Sequence, residues 1–261
     1  MRLYGILLFA IALPVCAQNP QPTLTCHDGS HWDDKYRECQ IKESTIPATS
    51  SVNIDSGTNG GVQVKGWTRS DVLVRAKIET WAPTESEAKT MQGQVSVQTT
   101  GGQVRATSPD FGHDRGYSVS FEVFLPQRTD VAAKAHNGGI GIQDVRGRIE
   151  FQTTNGGVKL ARLAGTVKGK TVNGGVNVEL SGATWDGDQF EVSTTNGGVN
   201  LQAPANYSAR LETSTVNGGF HTELDGTVRG SVGRNMSLTL GSGGPLIKLT
   251  TVNGGINLKK S

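Results

Sequence analysis

Two cysteines, five histidines and a cluster of aspartates are the residues of this chain best suited to hold a metal or do chemistry. Cys26 and Cys39 stand thirteen apart, with His27, Asp28, His31, Asp33 and Asp34 between them. Thiolate, imidazole and carboxylate all ligate zinc, but this spacing matches no common structural zinc pattern. In an exported chain such a pair reads instead as a disulfide closing a small loop. The remaining histidines, His113, His136 and His221, lie far apart, and of these His136 adjoins a repeat corner. Trp185-Asp186-Gly187-Asp188 has calcium-ligand types without calcium-loop spacing, and reads as a turn. The sequence holds no Gly-x-Ser-x-Gly elbow, no phosphate loop and no His-Glu-x-x-His helix. No catalytic residue, metal site or cofactor site is expected.

What must position any side chain here is a repeat. Asn-Gly-Gly stands at Asn59, Asn137, Asn155, Asn173, Asn196, Asn217 and Asn253, each followed by Val, Ile or Phe after the second glycine. Asn tolerates a left-handed backbone and Gly turns without steric cost, so the triplet marks a sharp corner between strands. From Asn137 the steps are 18, 18, 23, 21 and 36 residues. A softer corner falls midway, at Gly147 and Gly165. Apolar residues alternate on both sides of the sharp corner, as in Ile149/Phe151 before it and Val158/Leu160 after it, which is the pattern of half-buried strands. Asn-Gly between strands is also a strong hairpin signal. The same residue type at the same offset in every copy favours stacking over hairpins, with the corner asparagines forming an amide ladder. The expected fold is all-β, a parallel β-solenoid (β-helix-like) of coils of 18–23 residues, with one short helix excursion and an N-terminal disulfide loop.

Along the chain, residues 1–17 read as a secretory leader. Arg2 precedes an apolar run from Leu3 to Leu13, and cleavage is expected after Ala17 in preference to a lipid anchor on Cys16. No segment is long and apolar enough to span a bilayer as a helix. Residues 18–45 are expected to form the disulfide loop and an N-terminal cap, with Trp32 and Tyr36 packing it against the first coil. Residues 46–130 read as less regular coils with a helix over 84–92, opened by the capping box of Thr84 and Glu87. Residues 131–261 read as regular repeats, with insertions at 183–188 and 203–208.

Alternation places Thr153, Thr171, Thr194, Thr215 and Thr251 on the inward face just before each corner. The corner glycines are expected to adopt positive φ. Two outward rows result: Lys159, Asn177, Asn200, His221 and Asn257 after the corners, and Thr154, Val172, Thr195, Val216 and Val252 before them. The whole chain has 25 Lys+Arg and 23 Asp+Glu. Removing Arg2 with the leader leaves 24 against 23, and no basic stripe marks a nucleic-acid surface.

The Thr-Thr/Val-Asn-Gly-Gly-Val corners, the Cys26…Cys39 pair and the Asn59-Gly60-Gly61-Val62…Trp67 opening resemble the bacterial putative-adhesin, β-strand-repeat family of unknown function. The resemblance implies export and a stacked-strand fold, and brings no catalytic residues with it. The functional expectation is an exported, periplasmic or surface scaffold that binds envelope polysaccharide or a surface protein without catalysis. The alternative is a polysaccharide-active β-helix enzyme.

Overall fold

The computed structural model describes residues 23–26, 35–229 and 235–261. The expected leader and most of the Cys26–Cys39 loop, including Trp32, lie outside them. The chain opens with β1 (Tyr36–Pro47), β2 (Ser51–Asp55), β3 (Val62–Trp67) and β4 (Asp71–Ala82). Helix α1 (Glu85–Gln94) follows, then β5 (Ser96–Gln98), β6 (Gln103–Thr107) and β7 (Gly116–Pro126). Strands then come in pairs around the corners: β8 (Asp130–Lys134) with β9 (Ile140–Gln143), and β10 (Arg146–Asn155) with β11 (Val158–Ala161). Next are β12 (Ala164–Asn173) with β13 (Val176–Glu179), and β14 (Gln189–Asn196) with β15 (Val199–Ala203). β16 (Ala209–Asn217) and β17 (Phe220–Thr222) flank the next corner, and β18 (Gly226–Arg229) and β19 (Asn235–Leu240) follow. The last coil is β20 (Leu246–Asn253) with β21 (Ile256–Lys260).

These strands form two mostly parallel sheets. The first runs β1-β4-β7-β3-β9-β11-β13-β15-β21-β17, and the second β18-β19-β16-β20-β14-β12-β10-β8-β2-β6-β5. Each repeat gives one strand to each sheet, so the fold is all-β and solenoid-like. Register sets like beside like. Ile140, Val158, Val176, Val199 and Ile256 form one inward row, and Val131, Ile149, Val167, Phe190, Ile247 and Leu211 face them from the other sheet. All are buried, each contributing roughly 1.5–3 kcal/mol of apolar transfer. In the next row of the second sheet, Ala133, Phe151, Gly169, Val192 and Leu249, the glycine stands where the Phe151 ring comes within 2.4 Å of where a Cβ would be.

Four features differ from the sequence expectation. Residues 36–47 are a strand, β1, and pair along their full length antiparallel to β4. It carries Arg37, Glu38, Lys42 and Glu43 on its two faces, and that charge hides the strand pattern in the sequence. Helix α1 starts one residue later and ends two residues later than expected. Thr84 is its N-cap, accepting from the Glu87 amide at 3.3 Å.

The coils also do not stack in chain order. β20 lies between β14 and β16, and β21 between β15 and β17, so the last coil of the chain is second to last in the stack. The 36-residue step is therefore not two coils: it holds β18 and β19, which add antiparallel strands outside β16. At the other end β2 and β3 are similarly enclosed, β2 between β6 and β8 and β3 between β7 and β9.

The fourth difference concerns the corner glycines. Among the triplets, positive φ occurs at Gly60 (128°) and Gly197 (157°), and not at Gly138, Gly156, Gly174, Gly218 or Gly254. Close approach is the reason for glycine there. A Cβ on Gly138, Gly156, Gly174 or Gly254 would meet the carbonyl oxygen of the neighbouring corner at 2.1–2.2 Å.

Candidate functional site

The corners build three ladders along the stack. The inward one consists of Thr153, Thr171, Thr194, Thr251 and Thr215 in spatial order. All five are buried, and each hydroxyl donates to the first-glycine carbonyl of the adjacent corner (Gly138, Gly156, Gly174, Gly197 and Gly254) at 2.7–2.9 Å. The buried hydroxyls are thereby satisfied within the repeat itself.

The second ladder is the exposed edge. Asn137 donates its amide to Asn59, Asn155 to Asn137, Asn173 to Asn155, Asn196 to Asn173, Asn253 to Asn196, and Asn217 to Asn253, at 2.7–3.0 Å. Asn59 ends the series on the Tyr117 carbonyl at 3.3 Å. All the side-chain dipoles point the same way, and such chains polarise one another.

The third ladder lies on the outer face of the first sheet. Strand register sets Lys159, Asn177, Asn200, Asn257 and His221 side by side. Asn200 donates to Asn177 and Asn257 to Asn200, both at 2.9 Å. One row further along the strands stand Glu179, Gln202 and Lys259, in register with one another. Lys159, Asn177 and Asn200 line a shallow groove of about 310 Å³ with Glu179, Gln202 and Lys259. The row preceding the corners, Thr154, Val172, Thr195, Val252 and Val216, runs beside the edge ladder. Its three valines are exposed, Val216 by half.

The outer face of the second sheet carries an arrangement that the sequence order conceals. Glu150, Lys168, Glu191, Lys248 and Glu212 are adjacent in register, with alternating charge. Lys248 reaches Glu191 at 3.3 Å. A groove of about 640 Å³ crosses this face, bordered by Arg105, Lys134, Glu150, Lys168, Lys170 and Glu191. Along the row itself, opposite charges stand one strand apart and offset each other.

A further cluster surrounds Glu122, whose side chain is fully buried beneath the segment 23–26. Its carboxylate accepts from the Thr23 amide at 3.0 Å and the Thr23 hydroxyl at 2.7 Å, from Arg75 at 2.7 Å and from Lys65 at 3.1 Å. Burial by itself pushes the Glu122 carboxyl up, but these donors outweigh it and hold the group below its usual range. Arg75 also reaches Glu43 at 2.7 Å, and its charge is held more firmly than usual. Sequence reading missed this cluster because Thr23 lies 99 residues from Glu122. The available signal was a carboxylate inside the apolar run from Tyr117 to Leu125.

Cys26 and Cys39 form a disulfide. His113, His136 and His221 stay apart. Among the described residues no three His, Cys, Asp or Glu side chains converge as metal ligands. His27, Asp28, His31, Asp33 and Asp34 lie outside the described residues. Asp186 of the aspartate turn pairs with Arg146. Among the described residues no helix is long and apolar enough to cross a membrane.

Three solved structures align with most of this chain. A "putative cell adhesion protein" from Clostridium sporogenes is 10% identical, with a TM-score of 0.49 over 86% of this chain and 100% of that one. A "putative adhesin" from Bacteroides fragilis is 12% identical, with a TM-score of 0.40 over 85% and 97%. A "putative lipid binding protein" from Parabacteroides distasonis is 9% identical, with a TM-score of 0.27 over 84% and 96%. A search of the curated proteins gives no match. The family model described as Toastrack DUF4097 matches residues 43–259, most of the sequence, and the chain belongs to that family.

Proposed function

We propose that the protein is an exported, non-enzymatic scaffold of the cell envelope or surface, which binds extended polysaccharide along the outer face of its first sheet. The observation that carries this reading is the in-register row Lys159–Asn177–Asn200–Asn257–His221. Its asparagines are tied to one another, so amide donors and acceptors recur at the strand spacing of about 4.8 Å with little rotamer freedom left to lose. Each amide still has hydrogen-bonding capacity beyond the ladder. A rigid line of such groups over a shallow groove suits a chain of sugar hydroxyls better than a compact ligand. The cationic Lys159 and the imidazole of His221 stand at the two ends of that line.

The test changes three residues of the row together. Asn177→Glu, Asn200→Glu and Asn257→Glu in one protein put like charges on adjacent strands and remove the ladder. Retention of isolated envelope polysaccharide is expected to fall at least tenfold, measured beside a glycan array and a thermal melt. If the triple variant stays folded and retains the polysaccharide as the parent does, the face is not the binding site. Glycan cleavage that disappears on mutating a single acid would place the protein among the enzymes instead.

A further inference from the structure

The C-terminal coil occupies a gap that the rest of the chain leaves open. Coil 189–203 and coil 209–222 follow each other in sequence, yet β20 and β21 separate them in both sheets. The segment 204–208 therefore has to climb two strand spacings where neighbouring coils climb one. The chain then adds β18 and β19 on the far side of β16 before residues 241–245 carry it back across β16 into the gap. The gap is thus defined by residues that precede its occupant.

Recognition in the gap is two-sided and specific. Thr251 donates to the Gly197 carbonyl, and Thr215 donates to that of Gly254. Asn253 donates to Asn196 and receives from Asn217, and Asn257 donates to Asn200. Ile247, Leu249, Ile256 and Leu258 are each at most 1% exposed. By contrast the crossing segment Gly241-Ser242-Gly243-Gly244-Pro245 is held by few contacts: Gly243 donates to the Leu240 carbonyl, Ser242 reaches the Ser208 hydroxyl, and Arg210 reaches the carbonyls of Gly244 and Pro245.

We propose that this gap is a receptor for a strand–corner–strand segment, filled by the chain's own coil 246–260 and equally able to take the same coil from a second copy of the protein. Each of these contacts is identical whether the coil arrives from its own chain or another, and only the crossing segment distinguishes the two. Exchange of an identical element between copies is the route by which such proteins link without new surface. The short hinge gives the chain's own coil the advantage of high effective concentration. Five residues reach at most about 17 Å, enough to reverse direction over two strand spacings of roughly 9.6 Å. Three residues reach about 10 Å, which leaves no length for the reversal.

The test uses the full-length protein with a protease recognition sequence inserted after Ser242. After cleavage the C-terminal coil is expected to stay bound through gel filtration. A fluorescent synthetic peptide of residues 246–261, added in excess, should enter with equimolar release of the resident coil. A peptide carrying Gly254→Val, whose Cβ would stand 2.2 Å from the Gly197 carbonyl oxygen, should enter about tenfold less well or worse. In a second variant, deletion of Gly243 and Gly244 should drive the coil into another copy and at least double the apparent mass. If that deletion fails to fold, the peptide exchange decides alone. The proposal is overturned if the cleaved protein excludes the peptide even when refolded with it, or admits the Gly254→Val peptide as readily as the parent.

Discussion

A Cβ on Gly174 would stand 2.2 Å from the Gly156 carbonyl oxygen and 2.9 Å from the Gly157 nitrogen, both backbone atoms of the next coil. Backbone cannot swing aside as a side chain can, so even alanine must push two coils apart. Gly174→Ala is expected to destabilise by about 1–3 kcal/mol and Gly174→Val by more, with φ playing no part. Thermal melts of both variants check this, and an alanine variant that melts with the parent would disprove the close-approach account. At Glu122 the relevant interaction is charge. Its folded-state carboxyl is held below its unfolded value near 4.3, so its contribution is complete above that pH and is lost as pH falls through the folded value. Glu122→Gln should therefore cost about 3 kcal/mol at pH 7, because Arg75 and Lys65 lose a buried partner. The difference from the parent should shrink in denaturant titrations below about pH 4. A difference independent of pH would mean that packing, not charge, is what Glu122 supplies.

Among the elements, β1 is the one that carries a disulfide cysteine, Cys39. It is an edge strand with mixed charges and few inward apolar residues, held to β4 by backbone pairing and by the Glu43–Arg75 ion pair, and it lies against α1. The Cys26–Cys39 bridge fastens the segment 23–26 to it, and Thr23 fastens that segment to Glu122. Replacing both cysteines by serine is expected to cost about 3 kcal/mol in the chain-entropy account. Amide exchange should accelerate in β1 well before it does in β12, which is paired on both sides. Equal acceleration across the two strands would show that the bridge stabilises the whole stack and not this edge.

For the whole molecule, the regular middle and the enclosed ends behave differently. Coils 146–161 and 164–179 are in register residue for residue, from Arg146 beside Ala164 to Ala161 beside Glu179. Contacts of this kind reach one neighbour in each direction, so stability is close to a sum over coils. Duplicating residues 156–173 should add one coil, preserve the β-type circular dichroism spectrum and leave the melting temperature at or above the parent's. A fall of more than about 10 °C would mean that the stack does not tolerate added length, as a shift of that size reflects several kcal/mol in a chain of this size.

Much of this was legible in the sequence because a repeat reports its own neighbours. When Asn recurs every 18 residues with Val or Ile three positions on, stacking explains the identity, and the inward threonines and the row Asn177, Asn200, Asn257 follow from strand alternation. The need for glycine at the corner was also legible, but not its cause, since positive φ and close backbone approach demand the same residue. Three features were decided by tertiary structure. Spatial order is one: the β20–β21 coil carries the same signals as its neighbours, and local pattern cannot say between which two coils a coil is inserted. The alternating row Glu150–Lys168–Glu191–Lys248–Glu212 depends on that order, and the burial of Glu122 depends on a segment 99 residues away. Periodicity along the chain determines which way a side chain points. Only the path of the chain through space determines what it meets.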